Sequence, residues 1–176
     1  DIGTALLPAP EGQWAMPKDM REKLPGYGPD VAKSRAEAQE IMKKLGYGPD
    51  KHLTVKIASR NIPDYRDAAA IVSDQLKHIW IDSELELVET ANWLPKLVRG
   101  DFVMAQSVNG AGIDDPDQTF YESYSCKSNR NYTKYCDPEV EKLIDKQSME
   151  TDLQKRRQIV WEMDRRRQEA AARPMM

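Results

Sequence analysis

Between residues 53 and 106 the spacing of apolar residues switches back and forth between two periods, and this constrains the fold more than any other feature. Leu53, Val55 and Ile57 alternate with Thr54 and Lys56, which predicts a strand over Leu53–Ala58. Ala68, Val72, Leu76 and Ile79 then recur at helical spacing over Asp64–Trp80. Leu85 and Leu87 restore the alternation of a strand over Glu84–Glu89, and Trp93, Leu94 and Leu97 mark a short helix over Ala91–Val98. Phe102, Val103, Met104 and Ala105 are apolar on both faces, as in a strand buried inside a sheet. Strand, helix, strand, helix, strand implies an α/β fold. Its sheet is expected to be mainly parallel, a βαβαβ unit with right-handed crossovers and flanking helices.

The flanks add helices and one irregular arm. Residues 1–29 are rich in Pro and Gly and read as an extended arm that Trp14 and Met16 can anchor. Asp30 is a suitable N-cap for a helix over Val31–Leu45, with Ala38, Ile41, Met42 and Leu45 on one face and Gly46 just past its end. After the last strand, Thr119–Asp137 is aromatic and polar. Asp137-Pro138 then opens a helix with Val140, Leu143 and Ile144 inward. Thr151–Gln154 has the spacing of a capping box for a last helix reaching about Ala171. Its Lys155-Arg156-Arg157 and Arg165-Arg166-Arg167 triplets are interleaved with acids and predict a solvated face. The expected organisation is an arm, 1–29, and one α/β ligand-binding lobe, 30–176. Both ends look cut, as in a fragment of a longer or processed chain.

Composition narrows the function classes. A net charge of −3, from 26 basic and 29 acidic residues, favours neither nucleic acid nor an anionic membrane. No apolar run is long enough for a transmembrane helix. The mean hydropathy of −0.73 is strongly hydrophilic for a complete enzyme. The two cysteines, Cys126 and Cys136, give no zinc pattern. A local disulfide in an oxidising compartment is the main reading, and two unrelated reduced thiols are the alternative.

Catalytic signatures are missing. The chain contains no phosphate-binding glycine loop, dinucleotide fingerprint, nucleophile elbow or zinc-protease helix. Asp114, Asp115 and Asp117 lack the spacing of a calcium loop and read as turn formers. The sequon Asn131-Tyr132-Thr133 is too common a pattern to carry weight. A binding surface remains. Arg60 and Asn61 end one parallel strand, and Asn109, Gly110, Ala111, Gly112, Asp114 and Asp115 follow another, where α/β sheets place ligands. Trp93 and the tyrosines supply apolar walls. No cofactor or metal is expected.

Several of these stretches resemble one family. Arg99-Gly100-Asp101-Phe102 with Met104, followed by a Gly-rich loop and Asp115-Pro116-Asp117, is similar to the extracellular solute-binding proteins of family 5, the peptide/nickel type. So are Arg130-Asn131-Tyr132, Tyr135–Val140, Asp145–Glu150, Gly46–Pro49 and Ser59-Arg60-Asn61. The resemblance implies part of the C-terminal lobe of a two-lobed periplasmic-binding-protein (type II) fold, with Gly100–Met104 as the family's central strand. It implies a non-enzymatic receptor for an ABC importer in the Gram-negative periplasm, partnered by a membrane permease and by an N-terminal lobe outside this sequence. The ligand would be a peptide or another small polar solute. Many peptide-binding members carry an Asp in the loop that contacts the peptide amino group, and Gly112 occupies the matching position here. Asp114 or Asp115 then becomes the candidate substitute. Two other readings stand beside the receptor: a stand-alone interaction module using the Arg-rich last helix, and a hydrolase built on the Asp114–Asp115 carboxylates.

Overall fold

The computed structural model describes residues 12–108 and 112–171, which form two compact units, one of residues 30–108 and the other of residues 12–29 together with 112–171.

The first unit is the sheet. Its elements run α2 (Val31–Lys44), β1 (Leu53–Arg60), α3 (Pro63–Lys77), β2 (Ile81–Val88), α4 (Thr90–Arg99) and β3 (Met104–Gln106), α1 (Lys18–Arg21) lying in the other unit. The strands are parallel in the order β2-β1-β3, as the βαβαβ spacing predicts. β1 pairs along its whole length with β2, from Leu53 opposite Ile81 to Arg60 opposite Val88. Ile57, Ala58 and Ser59, the residues that also pair with β3, are all buried because both edges of β1 are covered there. Ala69 of α3 is fully buried, and its small side chain lets the helix approach the sheet closely.

The structure corrects the last strand. β1 is the central strand, whereas β3 is a three-residue edge strand that begins at Met104. Val103 is 75% exposed, so the run of apolar residues at 102–105 marks an edge and not the sheet interior. The stripe of α2 is also narrower than its spacing suggests. Met42 is buried, but Ile41 and Leu45 are exposed on the face expected to pack.

The second unit is helical, with α1, α5 (Pro116–Tyr124), α6 (Pro138–Met149) and α7 (Leu153–Glu169). Its core joins Phe120 and Tyr124 of α5, Val140 and Ile144 of α6, Val160 and Met163 of α7, and Trp14 from the N-terminal segment. Over residues 12–29 that segment is packed and partly helical rather than a bare extended arm: Trp14, Met16 and Leu24 are all buried. Each of the three longer helices starts at an aspartate whose carboxylate accepts a backbone N–H of its first turn: Asp115 from Asp117, Asp137 from Glu139, and Asp152 from both Gln154 and Lys155.

Cys126 and Cys136 form a disulfide, with their Cα atoms 4.8 Å apart. Within the loop it closes, Asn131 is buried, its amide donating to the carbonyls of Ser125 and Tyr135. The sequon asparagine is thus a loop-building residue.

Candidate functional site

In the sheet unit, the C-terminal ends of β1 and β2 bring together residues that sequence spacing picked out and others that it missed. Arg60 is the last residue of β1, and its Nε donates to Thr90 Oγ1 at 3.1 Å. Its guanidinium lies over the Tyr65 ring, 5.7 Å from the centroid. Tyr65 in turn meets Trp93 edge-on, with ring centroids 6.3 Å apart and an interplanar angle of 82°. Trp93 is buried, so it reaches the surface of this cluster through Tyr65. Asn61 donates its backbone N–H to the Val88 carbonyl and its side-chain amide to Glu89 Oε1, both at 2.9 Å. Arg60, Asn61 and Trp93 therefore belong to one cluster. Tyr65, Glu89 and Thr90 were missed, although Tyr65 was legible as an aromatic in the first turn of the helix that opens at Pro63. Gln106, paired beside Ser59 at the end of β3, has a buried Oε1 without a hydrogen-bond partner among the described residues.

The acidic loop belongs to the helical unit. Asn109, Gly110 and Ala111 lie outside the described residues. Gly112 is exposed, and a Cβ added there would meet nothing within 4 Å. The Asp114 carboxylate accepts the Gln13 backbone N–H at 2.9 Å, and its carbonyl accepts Trp14 Nε1–H at 2.8 Å. Asp115 caps α5 and receives both Nη groups of Arg156, each at 2.9 Å. Arg156 also donates from Nε to Gln147 and lies 4.8 Å from the centre of the Trp14 ring. Burial pushes the Asp115 carboxyl up. The Arg156 hydrogen bonds, the Asp117 N–H and the Arg156 charge together outweigh this and hold it below the usual carboxylate value. Asp117 accepts from Gln147 and Ser148. These carboxylates fix the loop to α6, α7 and the N-terminal segment. Asp115, held ionised by Arg156, is poorly placed to act as a general acid.

The arginines of α7 are a further correction. Arg165 and Arg166 pair with Glu162 and Glu169 near the surface, as expected of a solvated face. Arg156 and Arg167 instead point inward. Arg167 is fully buried and donates to Asp164 and to the Tyr124 hydroxyl. Two cations of the basic triplets are thus consumed inside the unit.

Among the described residues, no cluster of three or more His, Cys, Asp or Glu side chains is arranged to hold a metal. No helix among them is long and apolar enough to cross a membrane. A shallow groove of about 320 Å³ between α6 and α7, lined by Leu143, Lys146, Gln158 and Ile159 among others, includes none of the candidate site residues.

Known proteins share this architecture. The chain is similar to Haemophilus influenzae OppA in complex with RPPGFSPFR, with a TM-score of 0.76 and 20% identity over 88% of this chain and 32% of that one. It is similar to the Escherichia coli murein tripeptide binding protein MppA, with a TM-score of 0.75 and 18% identity over 92% of this chain and 33% of that one. For NikA from Staphylococcus aureus in complex with Ni(L-His)2, the TM-score is 0.69 and the identity 18%, over 78% of this chain and 30% of that one. The chain thus spans about a third of the length of these proteins. No curated protein sequence matches it. The sequence model for bacterial extracellular solute-binding proteins, family 5 middle, matches residues 8–131, well over half of the 176. The chain belongs to the family 5 bacterial extracellular solute-binding proteins.

Proposed function

We propose that this chain is the ligand-contacting part of a receptor that captures a small polar solute and delivers it to the membrane permease of an ABC importer. Family membership over residues 8–131 carries this reading. The receptor works in the periplasm of a Gram-negative bacterium, where the Cys126–Cys136 disulfide is chemically at home. The solute lies between this lobe and a second lobe outside the present sequence, and no covalent step follows.

On this side of the cleft the proposed contacts are Arg60 and Asn61, with Trp93 acting through Tyr65, and the loop residues Asn109, Gly110, Ala111, Gly112, Asp114 and Asp115. Support for the first group comes from its position at the C-terminal ends of parallel strands, the usual place for ligands in open α/β sheets. Asp114 and Asp115 contribute mainly by shaping the loop, since both carboxylates already accept hydrogen bonds. The similar structures carry a nonapeptide, bind murein tripeptide, or hold nickel with histidine. A peptide is the first class to test, followed by metal–amino-acid complexes, amines and sugars.

The experiment is a thermal-shift and calorimetry screen of the full receptor against those classes. A specific ligand at a hundred times its Kd is expected to stabilise the receptor by about 2.7 kcal/mol. A receptor whose melting temperature no class moves overturns the proposal.

A further inference from the structure

We propose that the loop closed by the Cys126–Cys136 disulfide is a rigid basic docking surface for an acidic segment of a protein partner, on the receptor reading the importer's permease. Lys127, Arg130 and Lys134 are the only charged residues between the two cysteines, in a chain whose net charge is −3. All three are exposed. Arg130 meets Glu122 at 2.6 Å yet keeps 65% of its side chain in solvent, and Lys127 and Lys134 have no ion-pair partner among the described residues. The acids that flank the loop are held elsewhere. Glu141 accepts the Ser125 hydroxyl and the Cys126 N–H, Asp137 caps α6, and Glu139 pairs with Lys142. The basic charge of the loop is therefore left unbalanced at the surface.

The loop also holds these cations in place. Besides the disulfide, the buried Asn131 amide bridges the carbonyls of Ser125 and Tyr135, and the Ser128 hydroxyl donates to the Glu122 carbonyl and accepts the Arg130 N–H. A preformed surface loses little entropy when a partner binds. Lys134 adds an independent sign. Its φ of 57° lies in the left-handed region, where glycine or asparagine sits with less strain. A cation is kept where the backbone disfavours lysine, which points to a use for its side chain. An anionic bilayer fits this loop less well. Lipid-binding patches gather about four to eight Lys and Arg or insert apolar side chains. Here there are three cations and no exposed large apolar residue. Carboxylates fixed on a protein are the better match for cations fixed on a loop.

One arm of the test measures association of the full receptor with the importer's permease in phosphatidylcholine nanodiscs. Lys127→Gln/Lys134→Gln should slow association about tenfold at low salt, the gap closing by about 1 M salt. Lys44→Gln/Lys56→Gln, which removes two exposed lysines outside the loop, should change it little. Lys134→Gly should slow association too, while its urea midpoint stays at or above that of wild type because the strain is relieved. Loop variants that associate like wild type, or a control pair that slows association equally, overturn the docking surface and leave the receptor reading standing. The other arm follows backbone amides of the 176-residue chain by NMR during titration with hexaglutamate, with hexaglutamine, and with vesicles of equal parts phosphatidylglycerol and phosphatidylcholine. Hexaglutamate should shift the amides of residues 127–134 saturably, and the other two probes should not. A loop that ignores hexaglutamate, or that responds to the vesicles instead, overturns the proposal. A receptor that binds no permease while hexaglutamate still saturates the loop overturns the receptor reading instead.

Discussion

Arg156 donates to both oxygens of Asp115 and to Gln147, and its guanidinium lies over the face of Trp14, so one side chain ties the acidic loop to the core of the helical unit. Removing it leaves a half-buried carboxylate without its cation. Arg156→Ala should cost about 2 kcal/mol in urea unfolding at neutral pH. The pH dependence has a definite sign. Asp115 titrates lower in the folded chain than in the unfolded one, so its contribution is complete above the unfolded value near 4. It is lost as pH falls through the lower folded value. Wild type and Arg156→Ala should therefore differ clearly at pH 6 and converge toward pH 2; a gap that stays constant across this range would show that the ion pair is not the source. Gly112 presents the opposite case. It is exposed, its φ lies outside the left-handed region, and no atom would crowd a Cβ. Gly112→Asp should therefore fold with stability within about 0.5 kcal/mol of wild type. A larger loss in the urea midpoint would show that the glycine is structurally required.

The disulfide acts at the scale of an element, by closing the loop between α5 and α6. It should stabilise the helical unit by roughly 2–3 kcal/mol through the entropy it removes from the unfolded chain. Reductant should lower the urea midpoint of the wild type and leave a Cys126→Ser/Cys136→Ser variant unmoved; equal behaviour of the two would refute the stabilising role. Elements with long, regular apolar spacing were legible in the sequence: β1, α3 and β2 lie where Leu53–Ile57, Ala68–Ile79 and Leu85–Leu87 put them, with shifted ends. The start of α6 was legible because Asp137-Pro138 supplies an N-cap and a first-turn proline. Asp115-Pro116 carries the same signal for α5, and it was obscured by the acidic residues around it, which also suit a turn. β3 was misplaced because apolar character on both faces fits an interior strand and an edge strand alike, and only pairing partners separate the two. The inward turn of Arg156 and Arg167 had no sequence signal. It depends on where Asp115, Asp164 and Tyr124 lie in space, and charge patterning does not encode that. The Arg60–Tyr65–Trp93 stack escaped for the same reason, since its residues sit on three different elements.

At the scale of the whole molecule, the receptor reading makes a quantitative demand on the isolated chain. A small-molecule site typically buries most of its ligand, about 70–90% of the surface, between facing walls. This chain spans about a third of the length of the structures it resembles, so on the proposed reading it supplies one wall. A micromolar ligand corresponds to about −8 kcal/mol, and a chain that keeps about half of that interaction free energy binds at roughly 1 mM. Calorimetry should therefore find at least a hundredfold gap between the full receptor and the 176-residue chain for the same solute. Restoring the second lobe in trans should recover little of the loss, because association of the two pieces carries its own entropic cost. A sub-micromolar Kd for the isolated chain would contradict the shared-cleft geometry, and would mean that the sheet-end cluster and the acidic loop form self-sufficient sites.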